Sequence, residues 1–354
     1  MRRLPLPLLR NSRTTDSPAA AAEFLCGLAP RLAACALLIV SIAAAQTAPA
    51  ASKAKAASNK AYTPPKTPWG DPDLQGLWPG SINIPLQRPV SFGTRNELTD
   101  KELAERDAQE KQRVEGGHWI EYYPSNRQAS LIVDPPDGRL PPMTPEAAKR
   151  NREMRDGLGP PSLAGVERRA NSWLDFDLWG RCITKGLIGS MLPGNLYNKG
   201  NQVLQAPGYF VIRNEMVHET RVIPVSSSGD AGRPHVGQDV RSYMGDGRGH
   251  WEGNTLVVET TNFVRDIGMN GINQALLTDK LRIIERFTRT APDQLSYDAT
   301  VEDPGTWIRP WTMHVPYMLD PTYALYEYAC HEANYGLSDI LKGARAREAA
   351  AGKK

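Results

Sequence analysis

Residues 281–301 read LRIIERFTRTAPDQLSYDATV, two alternating runs separated by the turn-forming tetrad Ala291-Pro292-Asp293-Gln294. On the second run Leu295, Tyr297, Ala299 and Val301 fall on one face, the period-2 signature of a strand with one buried side. The same texture extends outward in both directions. Val203-Leu204-Gln205 leads into a Pro207-Gly208 turn, and further strands are predicted over 209–216, 220–225, 256–263, 311–317 and 324–330. Residues 251–255 (WEGNT) read as a tight turn feeding the 256–263 strand. Strands joined by short turns without intervening helices predict an antiparallel meander. Seven or more of them predict closure into a barrel or a two-sheet sandwich, which protects the edges.

Upstream the texture differs. Residues 67–180 are crowded with Pro and Gly and predict a segment that wraps around the meander at 181–343. Two short helices stand out in it. Thr99 with Glu102 forms a capping box that opens a helix to about Arg113, stopped by Gly116-Gly117. Thr144-Pro145-Glu146 supplies an N-cap with Pro at the first helical position, for a helix to about Asp156. Both are strongly charged and read as surface helices. Between them residues 131–139 (LIVDPPDGR) predict a short strand entering a turn. After residue 330, Ser338 is expected to cap a short helix, and 344–354 read as a disordered tail.

The chain of 354 residues carries 42 basic and 39 acidic side chains. Fourteen of the basic and three of the acidic residues lie outside 67–341, which leaves 28 against 36 and a net charge of −8 for the segment expected to fold. Nucleic-acid binding needs clustered Lys and Arg and is not expected. Arg2, Arg3, Arg10, Arg13 and Arg31 precede an apolar run at 32–45, followed by small-residue cleavage sites at 43–45 and 48–50. This is the layout of a secretory signal peptide at 1–45, with 46–66 as a flexible linker. A periplasmic or extracellular protein, not inserted in the membrane once the leader is removed, is the expectation. Cys26 and Cys35 leave with the leader. The remaining pair, Cys182 and Cys330, is most simply a disulfide in an oxidising compartment. It would close a long loop, for which the chain-entropy model assigns about 4–5 kcal/mol.

Residues 245–263 (GDGRGHWEGNTLVVETTNF) and 326–336 (YEYACHEANYG), with 130–139, Arg181-Cys182, Glu302-Asp303-Pro304 and Thr306-Trp307, resemble the motifs of an uncharacterised family of secreted bacterial proteins. The resemblance spans roughly 67–345 and implies an exported protein, but it brings no assigned chemistry. The strand series is similar to a lipocalin-type barrel, a likeness of fold alone. The expected architecture is therefore mainly β: an antiparallel lipocalin-like barrel or sandwich wrapped by a loop-rich N-terminal half with two short helices.

Gly245-Asp246-Gly247-Arg248-Gly249 lacks the preceding strand and following helix of a phosphate loop and reads as a structural turn. His118, His218, His235, His250, His314 and His331 show no metal-ligand spacing, so neither metal nor cofactor is predicted. Glu327 and His331 share one face of their predicted strand about 13 Å apart, able to face one cavity without bonding directly. Asp303 and Glu259 are further carboxylate candidates, Glu259 if its face of the 256–263 strand is interior. Trp251, Trp307 and Trp311 either close a ligand cavity or plug a barrel end, and Arg248 or Arg309 would select an acidic group. Two functions follow. The cavity binds a small, partly apolar ligand, or it is a cofactor-independent lyase, isomerase or hydrolase site with His331 as acid or base and Glu327, Glu259 or Asp303 as partner.

Overall fold

Alternation produces strands wherever one face can be buried. In the computed structural model, which describes residues 62–117, 121–158, 170–176, 178–193, 197–226, 233–265 and 276–352, ten strands join one sheet. They are β1 (Gly76–Leu77), β2 (Ile132–Asp134), β3 (Asn201–Ala206), β4 (Tyr209–Asn214), β5 (Thr220–Ser226), β6 (Asp246–Glu252), β7 (Thr255–Thr261), β8 (Arg282–Ala291), β9 (Gln294–Glu302) and β10 (Trp311–Met318). The described helices of five residues or more are α1 (Asp100–Glu115), α2 (Pro145–Leu158), α3 (Leu187–Met191) and α4 (Gly336–Ala351). The leader expected at 1–45, most of the linker expected at 46–66 and His118 lie outside the described residues.

The sheet runs β1-β3-β4-β5-β6-β7-β8-β9-β10-β2 and curls into a half-barrel with β1 and β2 as its edges. Every neighbouring pair is antiparallel except β5 and β6, which meet in parallel at Val225↔Gly249 and Ser226↔His250. That junction explains the glycines. Gly249 is paired with Val258 on the core side, where a Cβ would stand 3.0 Å from Val225 Cγ2. The glycine run read as a turn is therefore mostly strand β6, with glycine at two core-facing positions, and at Gly249 the approach of β5 leaves little room for a side chain. Only Gly253, at φ 61, and Asn254 form the turn to β7.

The inner face is apolar and densely filled. Phe287, Tyr297, Trp311, Val315 and Tyr317 are fully buried on β8, β9 and β10, each contributing roughly 1.5–3 kcal/mol by leaving water. Phe210–Phe287 and Phe287–Tyr297 ring pairs, at 5.1 and 4.9 Å, continue the core across β4, β8 and β9. The curl is occupied by the chain itself: all five residues of α3 are buried against this face. The outer face is charged. Asp246, Arg248, His250 and Glu252 of β6 stand beside Glu259 of β7, and Arg282 and Arg286 of β8 tie the row together.

Helix α1 opens with the reciprocal Thr99–Glu102 capping box read from the sequence, and Thr144 Oγ1 caps α2 by accepting from Ala147 N. Two expectations are corrected. Residues 324–330 form no strand, because their backbone is held by side chains instead of a ladder: Tyr326 N donates to Glu215 Oε1 at 3.1 Å and Tyr328 O lies 3.0 Å from His218 Nδ1. The expected disordered tail is helical through Ala351, since Leu337, Ile340, Leu341 and Ala344 pack on Ala170 and Phe176. The Cys182–Cys330 disulfide is present, with Cα atoms 5.7 Å apart. Among the described residues no helix is long and apolar enough to cross a membrane.

One ion pair lies inside the curl. Arg221 on β5 grips Glu285 on β8 through two bonds of 2.6 and 2.8 Å, and Tyr297 Oη donates to the same carboxylate at 3.0 Å. Both charges are buried, Glu285 at 0% exposure. Removing one partner strands the other, so Arg221→Met should cost about 3–5 kcal/mol. The double variant Arg221→Met/Glu285→Leu should recover most of that loss. Urea unfolding of both tests it, and a single variant as stable as the parent contradicts the assignment.

Candidate functional site

The residues proposed from sequence do not converge. Trp307 and Trp311 are buried in the core, edge to face with ring centroids 5.6 Å apart, and plug the sheet instead of lining a cavity. Trp251 is partly buried against the same core. Asp303 is saturated: its carboxylate accepts from Thr278 N, Thr278 Oγ1, Gly305 N and Thr306 Oγ1, which makes it the clasp of the loop between β9 and β10. Glu259 lies on the outer face, held by Arg282 at 2.6 Å, and that hydrogen bond lowers its pKa against the opposing effect of partial burial. Arg248 is on the same outer face, bonded to Asp246 Oδ1 at 2.5 Å and to Pro234 O. Arg309 is exposed between β9 and β10. His331 and Glu327 are exposed on an irregular segment, so the shared strand face expected of them does not exist.

Glu327 nevertheless belongs to a site. An open cleft of about 440 Å³ lies beside the disulfide, walled by Trp179, Glu327, Tyr328 and Asn334 with Cys182 and Cys330 at its edge. No histidine lines it. Its walls come from two stretches far apart in sequence that the disulfide joins. Tyr328 is the keystone. Its hydroxyl is hydrogen-bonded to Trp179 and to Tyr197, whose ring stacks on it at 6.4 Å. Burial first, and the bond to Tyr197 second, push its phenol up to about 12, so it stays neutral at physiological pH.

Behind Trp179 lies a group that sequence reasoning missed. The Lys185 ammonium sits 5.3 Å from the Trp179 ring centroid, in cation–π range. Lys199 lies nearby, and its Nζ donates to Leu192 O at 3.0 Å. Each lysine is only 8% exposed. Burial lowers the pKa of Lys185, against the raising effects of Lys199 and the Glu219 charge. Burial and the neighbouring Lys185 charge hold Lys199 well below the ordinary lysine range. Glu219 is itself held by the Ser190 hydroxyl of α3.

The backbone here is strained. Among the described residues six non-glycine positions adopt positive φ, and Cys182 is the one of them that lines the cleft. Cys182 (φ 56) lines the cleft, Ala333 (φ 55) precedes Asn334, Asn198 (φ 52) precedes Lys199, and Val217 (φ 64) and His218 (φ 44) form the turn that reaches Tyr328 O. A β-branched residue in the left-handed region is costly, and such strain persists where surrounding structure enforces it, commonly at functional sites. Glu215 is the enforcing group. Buried at 2% exposure, it accepts from Asn198 Nδ2, Gly200 N, Tyr323 Oη and Tyr326 N. Among the described residues no group of three or more His, Cys, Asp or Glu is placed to hold a metal ion.

Because the cleft wall at 327–334 has no ladder, the disulfide should matter locally. Cys182→Ser/Cys330→Ser should lower stability by up to about 4 kcal/mol. It should also speed amide exchange at 324–335 more than in β7–β9. Equal protection of the two regions in variant and parent, followed by hydrogen exchange, contradicts this. Comparison with protein-family models, with curated proteins and with solved structures finds no match to this chain, leaving the geometry as the basis for function.

Proposed function

We propose that the protein is an exported binder of a small, partly apolar ligand, held in the cleft between Trp179 and Tyr328. The observation that carries this reading is the cleft's chemistry: about 440 Å³, aromatic side walls, and Glu327 as its carboxylate. Such a volume lies in the range of small-molecule sites, where aromatic surface supplies affinity and a few polar groups set orientation. The arginines expected to select an acidic group stand elsewhere. The preference follows Glu327 instead and favours a ligand with a cationic or hydrogen-bond-donating group. A His/carboxylate acid–base pair gains no support, because His331 is not among the lining residues. Export rests on the leader read at 1–45 and on the disulfide, and N-terminal sequencing of the secreted protein would check it.

Isothermal titration with benzylamine and benzoate tests the ligand class. Benzylamine should bind about 1.4-fold to fivefold tighter, the range for an exposed carboxylate contributing about 0.2–1 kcal/mol. Glu327→Gln should erase that difference, and Trp179→Ala should weaken both ligands at least about fivefold by removing an aromatic wall. Unchanged affinity in Trp179→Ala would place the ligand elsewhere.

A further inference from the structure

The outer face of the sheet changes character along its width. On β6–β8 it carries paired charges, whereas on β3–β5 it is apolar. Register sets Leu204, Val211 and Val222 side by side across these three strands, with Ala206, Tyr209 and Pro224 in the row next to them. The row on the other flank is Gln202, Arg213 and Thr220, so no outward position of the three strands carries an acid. Leu204 is 44% exposed and Val222 62%. Apolar side chains in adjoining register make a continuous patch, which single scattered residues do not. Two cations border it. Arg213 is exposed on β4, and the Arg233 guanidinium lies 5.4 Å from the Tyr209 ring centroid with Nη1 3.3 Å from the Tyr209 hydroxyl. Among the described residues neither arginine forms an ion pair.

The N-terminal end of the described chain is anchored at the β3 edge of this face. Gln205 of β3 donates from Nε2 to Pro72 O, and Asp73 N donates to Pro65 O, three residues after the described chain begins at Tyr62. The stretch that leads there, 46–66, contains Lys53, Lys55, Lys60 and Lys66 and no acid. Apolar surface, free arginines and a basic approach thus share one side of the molecule.

We propose that the outer face of β3–β5 docks on an anionic phospholipid bilayer, with Leu204, Val211, Val222 and Tyr209 entering the interface and Arg213 and Arg233 meeting lipid phosphates. Tyrosine suits that depth because its ring is apolar and its tip polar. Arginine grips phosphate through paired donors. A cation near an anionic bilayer raises affinity about fivefold, which the four lysines of 46–66 would extend. The acidic excess of the folded segment lies off this face, and on adjoining β6 Asp246 and Glu252 are each held by an arginine. A second copy of the chain is a poorer occupant. In two-fold docking the face meets itself, and its strands offer the arginines no acid. The surface is separate from the cleft, and neither reading depends on the other.

Co-sedimentation of the exported protein with vesicles of phosphatidylglycerol and phosphatidylethanolamine in equal parts, set against phosphatidylcholine vesicles, tests the docking. The parent should partition at least about tenfold more strongly onto the anionic vesicles, and less so as salt is raised. Arg213→Gln/Arg233→Gln should lower that partitioning about tenfold to thirtyfold, the product of two cation contacts. Val222→Glu should lower it at least about tenfold by placing a charge in the apolar row. Val133→Glu, at an exposed position of edge strand β2, should change it less than about twofold. Circular dichroism melts identify any variant that has lost its fold, and the arginine pair, exposed and outside the core, keeps the test open if Val222→Glu has. Partitioning unchanged in the folded variants would assign binding to the N-terminal lysines alone and overturn the proposal. Equal partitioning onto both vesicle types, or none, overturns it as well. A dimer in sedimentation velocity that Val222→Glu dissociates, without vesicle binding, gives the face to a second copy instead.

Discussion

A half-barrel has an inner face that no second sheet covers, and everything else in this molecule follows from how that face is filled. The chain fills it with its own segment 183–192, buried from 184 onward and helical at α3. A five-residue helix cannot satisfy its own ends, because the first four N–H and last four C=O groups of a helix lack partners within it. Here Gly186 N is met by Thr184 Oγ1, Met191 O by the Tyr317 hydroxyl, and Leu192 O by Lys199 Nζ. Polar and ionisable groups are therefore drawn into the interior by the backbone that occupies it. Lys199 is one of them. A plug of regular structure would have needed no such group.

The second consequence lies at the mouth of the curl. Residues 319–335 must close over the plug without a neighbouring strand to pair with. Glu215 and His218 take their place by bonding to Tyr323 and to the backbone at 326 and 328. The disulfide pins the end of the segment to the residue that begins the plug. The cleft is the gap left where this side-chain scaffold replaces a ladder. Its walls are consequently aromatic and irregular, unlike the outer face of β6–β9.

Much of the sheet was legible in the sequence because alternation is a local signal. The β8–β9 hairpin, the α1 capping box and the α2 N-cap could all be read within a few residues. Strand β6 was not, because Gly247 and Gly249 occupy two inner positions that would have carried apolar residues, and the reason for Gly249, the approach of β5, is remote. The segment 324–330 failed in the opposite way: tyrosines alternating with other residues looked like a strand, while the partners that prevented one were more than 100 residues upstream. Counting cysteines outside the expected leader was enough to pair Cys182 with Cys330. No period or motif links Trp179, Lys185, Lys199 and Tyr328, which meet only through the plug and the disulfide, and so the site itself was not legible.

The distribution of charge explains why the interior lysines are not neutralised in a segment with more acids than bases. Carboxylates on the outer face are held locally: Glu259 and Glu302 by Arg282, Glu252 by Arg286, Asp246 by Arg248. The buried carboxylates are equally committed, Glu285 to Arg221 and Glu215 to four donors. Glu219 is the carboxylate whose charge reaches Lys185, and the Ser190 hydroxyl holds one of its oxygens. If that carboxylate swung onto Lys185, the result would be an ordinary buried ion pair, with the ammonium satisfied by a negative partner. Held by Ser190 of α3, it raises the pKa of Lys185 against the lowering effect of burial. Ser190 thus positions the carboxylate whose charge acts on Lys185, and the same plug that forced polar groups inside also fixes the charge beside them.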